Sequence, residues 1–175
     1  MRGQWIFDLI YKKIHGLEKY LIYKGVTVEP NCRIYSDVST TESYLIKIGE
    51  NTTISNDVRF ITHDNSICKV LSDKTDIFGN IVIGKNCFIG SRSTIMYGVT
   101  LANNTIVAAG SVVTKSVDAE GMIIGGNPAR IIGTAEDYGQ KCMRYAVNCD
   151  GLSREEKREV IEKAEKVVKK SMTVS

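Results

Sequence analysis

The sequence predicts an all-β solenoid in which short parallel strands stack as successive coils around one core, with a helical segment at each end. Three observations predict it. An aliphatic residue returns every six positions, at Ile83, Ile89, Ile95, Leu101, Val107 and Val113. A small or compact residue follows four positions after each, at Cys87, Ser93, Val99, Thr105, Ser111 and Val117, and Gly or Ala comes directly after the aliphatic at 84, 90, 102 and 108. A six-residue unit is too short for a helical hairpin repeat and suits one short strand plus a turn. The aliphatic residues should point inward, each beneath its counterpart on the next coil, and the Gly or Ala should let the backbone turn the corner.

Composition sets the outer limits. The 175 residues, 43% hydrophobic and 25% charged, suit one main core with appendages. A balance of 23 basic to 20 acidic residues leaves +3, which gives no electrostatic reason to expect nucleic acid as a partner. No apolar run reaches bilayer length and none resembles a signal peptide, so a soluble, cytoplasmic protein with no membrane span is expected. The cysteines at 32, 68, 87, 142 and 149 show no C-x-x-C pair and no zinc-ligand spacing, so neither a disulfide framework nor a metal is expected.

Residues 1–25 form the expected N-terminal helical segment. Trp5, Ile6, Leu9, Ile10, Ile14, Leu17 and Leu21 recur at helical spacing from Gln4 to Tyr23, and Lys24-Gly25 supplies a stop. The lysines on its polar face make a membrane-surface role conceivable, while packing of the apolar face against the domain's end or a neighbouring subunit is the favoured reading.

The β-solenoid is expected over 26–134. The beat starts at Val28 and Ile34, slips by two residues between Thr40 and Lys47, and resumes at Ile48, Ile54 and Phe60. From Ser66 to Asn80 it vanishes, and the interruption at 64–81 reads as an active-site loop, because long aperiodic excursions in a repeat array gather where function lies. The strict beat then runs to Val117, and a glycine-rich turn around Gly126-Asn-Pro-Ala-Arg130 closes the array. Residues 135–175 are expected as a helical tail. Ser153-Arg-Glu-Glu156 is a capping box there, and Val160, Ile161, Ala164, Val167 and Val168 make a narrow apolar stripe.

The run from Asn86-Cys-Phe-Ile-Gly-Ser91 through Ala109-Gly-Ser-Val-Val-Thr114-Lys115 to Gly126-Asn-Pro-Ala-Arg130, together with Thr62-His63-Asp64, resembles the hexapeptide-repeat acyltransferases, among them galactoside, maltose and polysaccharide acetyltransferases. The resemblance implies a left-handed parallel β-helix with three hexapeptides per triangular coil. The hand comes from the resemblance alone, since general crossover rules favour the right hand. It also implies a homotrimer, acetyl-CoA as co-substrate, and His63 as general base for a saccharide or other small hydroxyl acceptor. A hydroxyl is a poor nucleophile near neutral pH, so a base must take its proton as it attacks the thioester. The resemblance carries over Ser91, Ala109, Thr114, Lys115 and Arg130 as cofactor-binding positions, and Gly98, beside Tyr97 in a coil corner, is a further candidate; Lys115 and Arg130 suit the phosphates, and small residues leave room for the pantetheine arm. Asp64, Asn65 and Tyr35 are candidate acceptor contacts. Asp64 could also orient the His63 ring, although neighbouring side chains on an extended backbone point to opposite faces.

Two departures stand out. The acceptor-binding Asn and Asp of galactoside and maltose acetyltransferases fall here on Tyr35 and Ser43, which disfavours those simple acceptors. Gly133 replaces a basic residue after Arg130. The chain's second histidine, His15, reads as a helix-surface residue. N-acetyl transfer to an amino-sugar nucleotide, serine acetylation and xenobiotic acetylation stay open, as does a non-catalytic β-helix assembly module; a related γ-type carbonic anhydrase lacks its third histidine here.

Overall fold

A computed structural model describes residues 4–163 and Val168. Ala164 and Val167 of the predicted apolar stripe lie outside the described residues. The chain forms two compact units, Met1–Ala135 and Glu136–Ser175.

The first unit opens with α1 (Gln4–His15) and α2 (Leu17–Tyr23). The sequence predicts one continuous helix here, but Gly16 adopts φ 82° and breaks it, a conformation that costs glycine little. Short strands follow: β1 (Thr27–Val28), β2 (Arg33–Ile34), β3 (Ile46–Ile48), β4 (Thr53–Ile54), β5 (Arg59–Phe60), β6 (His63–Asp64) and β7 (Ile77–Phe78). The regular stretch supplies β8 (Ile81–Ile83), β9 (Phe88–Ile89), β10 (Thr94–Ile95), β11 (Thr100–Leu101), β12 (Ile106–Val107) and β13 (Val112–Val113), before β14 (Met122–Gly126) and β15 (Ala129–Thr134).

These strands build three walls. The first is β1-β3-β8-β11, the second β2-β4-β9-β12-β14-β15 and the third β5-β10-β13, with every pair parallel except β14 and β15. From β8 onward the chain visits the walls in rotation. Partners lie eighteen residues apart, as in Val82 with Thr100, Phe88 with Ile106 and Thr94 with Val112, so three hexapeptides complete one circuit. The offset grows to twenty for Thr27 with Lys47 and Arg33 with Thr53, and to thirty-five for Ile46 with Ile81 and Arg59 with Thr94. These two excesses are the slip at 40–47 and the loop after Phe60.

Inward-pointing apolar side chains fill the shaft between the walls. Ile48, Ile83 and Leu101, Ile54, Ile89 and Val107, and Phe60, Ile95 and Val113 are all buried. The small residues four positions on are buried as well, and their hydroxyls satisfy coil carbonyls: Thr52 Oγ1 donates to Gly84 O at 2.9 Å and Ser93 Oγ to Ala108 O at 3.0 Å.

The structure corrects the predicted role of the Gly or Ala after each aliphatic. The corners turn two residues later, where Asn31, Asn51, Asp57, Asn86, Arg92 and Asn104 have φ of 54–62°. Asparagine and aspartate tolerate this left-handed region better than other non-glycine residues. Gly84 is instead a contact point between coils, since a Cβ there would lie 2.8 Å from the Ala102 backbone.

In the second unit, α4 (Arg154–Lys163) begins with the predicted reciprocal cap, in which Glu156 N donates to Ser153 Oγ at 3.2 Å and Ser153 N to Glu156 Oε2 at 2.8 Å. An earlier helix, α3, spans Ala135–Cys142. No helix among the described residues is long and apolar enough to cross a membrane.

Candidate active site

Both interruptions of the beat leave the coil at the same corner, between the third wall and the first, in successive circuits. The first carries Thr40 to Leu45, where Ser43 is buried and ties the excursion together by donating to Thr40 O at 2.8 Å and accepting from Thr40 N at 2.9 Å. The second begins at His63. It is not the structureless loop the sequence suggests, because β6 and β7 pair antiparallel, with His63 opposite Phe78 and Asp64 opposite Ile77. A short 3₁₀ turn, Ser66–Lys69, lies between them.

Stacking of the two excursions brings Glu42 to the histidine. Its Oε2 lies 2.9 Å from His63 Nδ1 and also accepts from Thr62 Oγ1 at 2.9 Å. Hydrogen bonds from the Thr41 hydroxyl, then Thr62 and His63, hold the Glu42 carboxyl below the ordinary glutamate range against the opposing effect of its partial burial. An ionised carboxylate accepts only, so Nδ1 carries a proton, and in the neutral ring this leaves the lone pair on Nε2. The carboxylate is 15% exposed and the imidazole 41%, so the ring is anchored on one side and open on the other. Sequence reasoning missed Glu42. The only signal was the two-residue slip, which placed an acidic residue in a break at the same phase as the break at His63.

Asp64 does not orient the ring. Its Oδ1 accepts from Ser66 N at 2.8 Å, and its Oδ2 accepts from the Tyr97 hydroxyl at 3.4 Å. Its carboxyl is held below the usual aspartate range, chiefly by the Ser66 backbone amide. Asn65 is exposed at the start of the 3₁₀ turn, where its carbonyl accepts from Cys68 N. Tyr35, 60% exposed, follows β2 on the second wall and therefore lies at a different corner from His63.

Apart from Arg130, the remaining candidates divide between two edges of the third wall. Gly98, Thr114 and Lys115 follow β10 and β13, at the corner that carries His63 in an earlier coil. Ser91 and Ala109 follow β9 and β12, at the opposite edge, where Ser91 Oγ lies 2.7 Å from Ser55 Oγ. Arg130 lies on β15, and with Lys115, Val113, Asp118 and Ile124 it lines a cleft of ≈ 640 Å³ at the C-terminal end of the coil stack. Ser43, predicted to occupy the position of an acceptor-binding Asp, is buried and used internally, with Glu42 beside it as the available carboxylate.

A three-walled hexapeptide coil carrying a carboxylate-anchored histidine at a break defines a class of group-transfer enzyme, and comparison with known proteins gives the same class. The repeat family described as "Hexapeptide repeat of succinyl-transferase" matches residues 80–115. Protein CapG of Staphylococcus aureus is 45% identical over 139 residues, covering 77% of this chain and 80% of CapG. The galactoside O-acetyltransferase of Escherichia coli is 29% identical over 116 residues, covering 65% of this chain and 57% of that protein. Among solved structures, a hexapeptide-repeat acetyltransferase of Vibrio cholerae complexed with acetyl coenzyme A superposes with a TM-score of 0.50 at 28% identity, over 63% of this chain and 61% of that one. The chain belongs to the hexapeptide-repeat acyltransferase family.

Proposed function

We propose that the protein transfers the acetyl group of acetyl-CoA to a saccharide hydroxyl, with His63 as general base, on a left-handed β-helix of the kind the family resemblance implies. The observation that carries the proposal is the 2.9 Å contact between Glu42 and His63 Nδ1. It leaves Nε2 free to accept the proton of an acceptor hydroxyl as that oxygen attacks the thioester carbonyl. Collapse of the tetrahedral species breaks the C–S bond. His63 then returns its proton to the departing thiolate and regains its starting tautomer, so the cycle needs no acyl-enzyme. Glu42 stays ionised throughout and stabilises the imidazolium formed midway, as an orienting carboxylate does in other base dyads.

Lys115 and Arg130, sharing one cleft, suit the phosphates of the co-substrate. Small side chains at Gly98, Ala109 and Ser91 leave the edges of the third wall open for a pantetheine arm, and Thr114 offers it a hydroxyl. Ser91 and Ala109 occupy the edge opposite His63 and Lys115. A homotrimer in which one subunit's edge faces the other edge of its neighbour would unite the two rows, and the resemblance supports that assembly. The acceptor should meet His63 at the β6–β7 ladder, where Asp64 and Phe78 stand beside it. Asn65 is exposed nearby, and Tyr35 would contribute only from a neighbouring subunit. The Escherichia coli relative is a galactoside O-acetyltransferase, which supports a saccharide acceptor and O-transfer.

An acceptor panel with thiol-release detection tests the proposal, comparing wild type with His63→Ala. The expected loss on the best acceptor is about 10²–10⁴-fold. Full activity in the variant would remove His63 from the chemistry, and a best acceptor bearing an amine would replace O-transfer by N-transfer.

A further inference from the structure

Helix α1 is mounted inside out. Its polar side faces the rest of its own unit: Asp8 bonds Lys24 Nζ at 3.2 Å, Lys12 Nζ reaches Asp37 at 3.0 Å, and Gln4 Nε2 donates to the Tyr23 hydroxyl at 3.4 Å. Tyr11 sits on the same side, stacked on Tyr23 with ring centroids 4.7 Å apart and packed against the core. The opposite side carries Ile6, Leu9, Ile10 and Ile14 at i, i+3, i+4 spacing, with Trp5 at its edge and Lys13 as its one charged residue. All five apolar side chains are exposed, Leu9 and Ile14 by 63% and 69%, and no residue of α1 is buried. Of the two packings the sequence favours for the apolar face, the one on the domain's end is therefore wrong: two ion pairs and a tyrosine stack hold the polar face there instead.

We infer that this face docks on an anionic lipid surface, with α1 lying in the interface plane. Size argues against a second copy held by this face alone. A 12-residue helix is about 18 Å long, and a stripe along it offers roughly 200 Å². A stable contact between proteins needs about 800 Å² per partner. Shallow insertion into the headgroup boundary needs no more than such a stripe, and Trp at the edge of an apolar face is the residue that boundary favours. Charge agrees. Lys12 and Lys24 pair with Asp37 and Asp8 at the inward side, which leaves exposed Lys13 and Lys19 against Glu18. Lys13, set within the stripe, can extend its stem along the apolar surface and place its ammonium among the headgroups. Such a dock would hold the enzyme beside membrane-borne acceptors without a spanning segment.

The test is co-sedimentation of the full chain with vesicles of phosphatidylcholine alone and of mixed phosphatidylcholine and phosphatidylglycerol. Wild type should sediment with the mixed vesicles and do so less as salt rises. Ile6→Glu/Ile10→Glu, both at exposed positions, should lose at least about tenfold in partitioning while keeping its circular dichroism and melting temperature. Lys13→Glu should weaken binding to the mixed vesicles alone. Wild type remaining in the supernatant with both vesicles would overturn the inference, as would undiminished binding of the double variant. If the double variant ran as a smaller species than wild type in lipid-free sedimentation velocity, the face would belong to a second copy and the inference would also fall.

Discussion

At the corner between the first and second walls, successive coils present the same residue. Asn51 Nδ2 donates to Asn86 Oδ1 at 2.8 Å and Asn86 Nδ2 to Asn104 Oδ1 at 2.8 Å, each residue in the left-handed region. At the corner between the third wall and the first, no residue type recurs; climbing the stack, it carries Glu42, then His63, then Tyr97 and finally Lys115. Where every level must solve one geometric problem, one residue type serves throughout, and the result is a hydrogen-bonded ladder. Where the levels differ, the corner has been released from that requirement, and twice the chain spends extra residues there to set a carboxylate against an imidazole.

If this division is correct, substitutions at the two corners should fail in different ways. Lys115→Ala, at the irregular corner, should raise the KM for acetyl-CoA about tenfold, the scale of one charge-assisted phosphate contact, and leave the melting temperature unchanged. Arg130→Ala should act in the same direction, because the two side chains line one cleft. A loss of stability in either variant, with KM intact, would make these residues part of the scaffold.

Asn86→Ala should do the reverse. It removes both rungs of the ladder and places a Cβ-bearing residue with no compensating hydrogen bond at φ 54°, for a destabilisation of about 2 kcal/mol with kcat and KM unaltered. Asn86→Gly relieves the backbone and should lose only about half as much. Denaturant unfolding measures both, and equal losses would show that the ladder, not the backbone, sets the cost.

The smallest effect concerns acid. Glu42 and Asp64 have carboxyls held below their ordinary values in the folded chain. The stability they contribute is present above the unfolded carboxylate range, about pH 4, and is lost as pH falls through their lower folded values. The melting temperature should therefore decline on the acid side, and more gently in Glu42→Gln than in wild type. An unchanged acid limb would mean that the Glu42 interactions in the fold are matched in the unfolded chain.

The coil was legible because the beat from Ile83 to Val113 is strict and because burial follows it residue by residue. The corner was less so. The sequence makes Gly84 a turn maker, since glycine commonly serves turns, but it cannot display the backbone of Ala102 lying against it. Glu42 was out of reach for a related reason: it meets His63 across twenty-one residues, through the stacking of two circuits, and its own hexapeptide is broken. Asp64 drew attention by adjacency in sequence, although an extended backbone turns it toward Ser66 and Tyr97. Helix α1 shows another limit. Amphipathic spacing identifies two faces, but Asp37 and Lys24, both outside the helix, decide which one turns inward.

The central claim is that Glu42 works through His63, and a double-mutant cycle tests it most directly. Thiol-release rates would be measured for wild type, Glu42→Gln, His63→Ala and the double variant on one acceptor. Glu42→Gln alone should reduce kcat about tenfold or more with the KM for acetyl-CoA unchanged, and the double variant should be no slower than His63→Ala. Losses that simply multiply would contradict the account, because they would give Glu42 a role independent of the imidazole it touches.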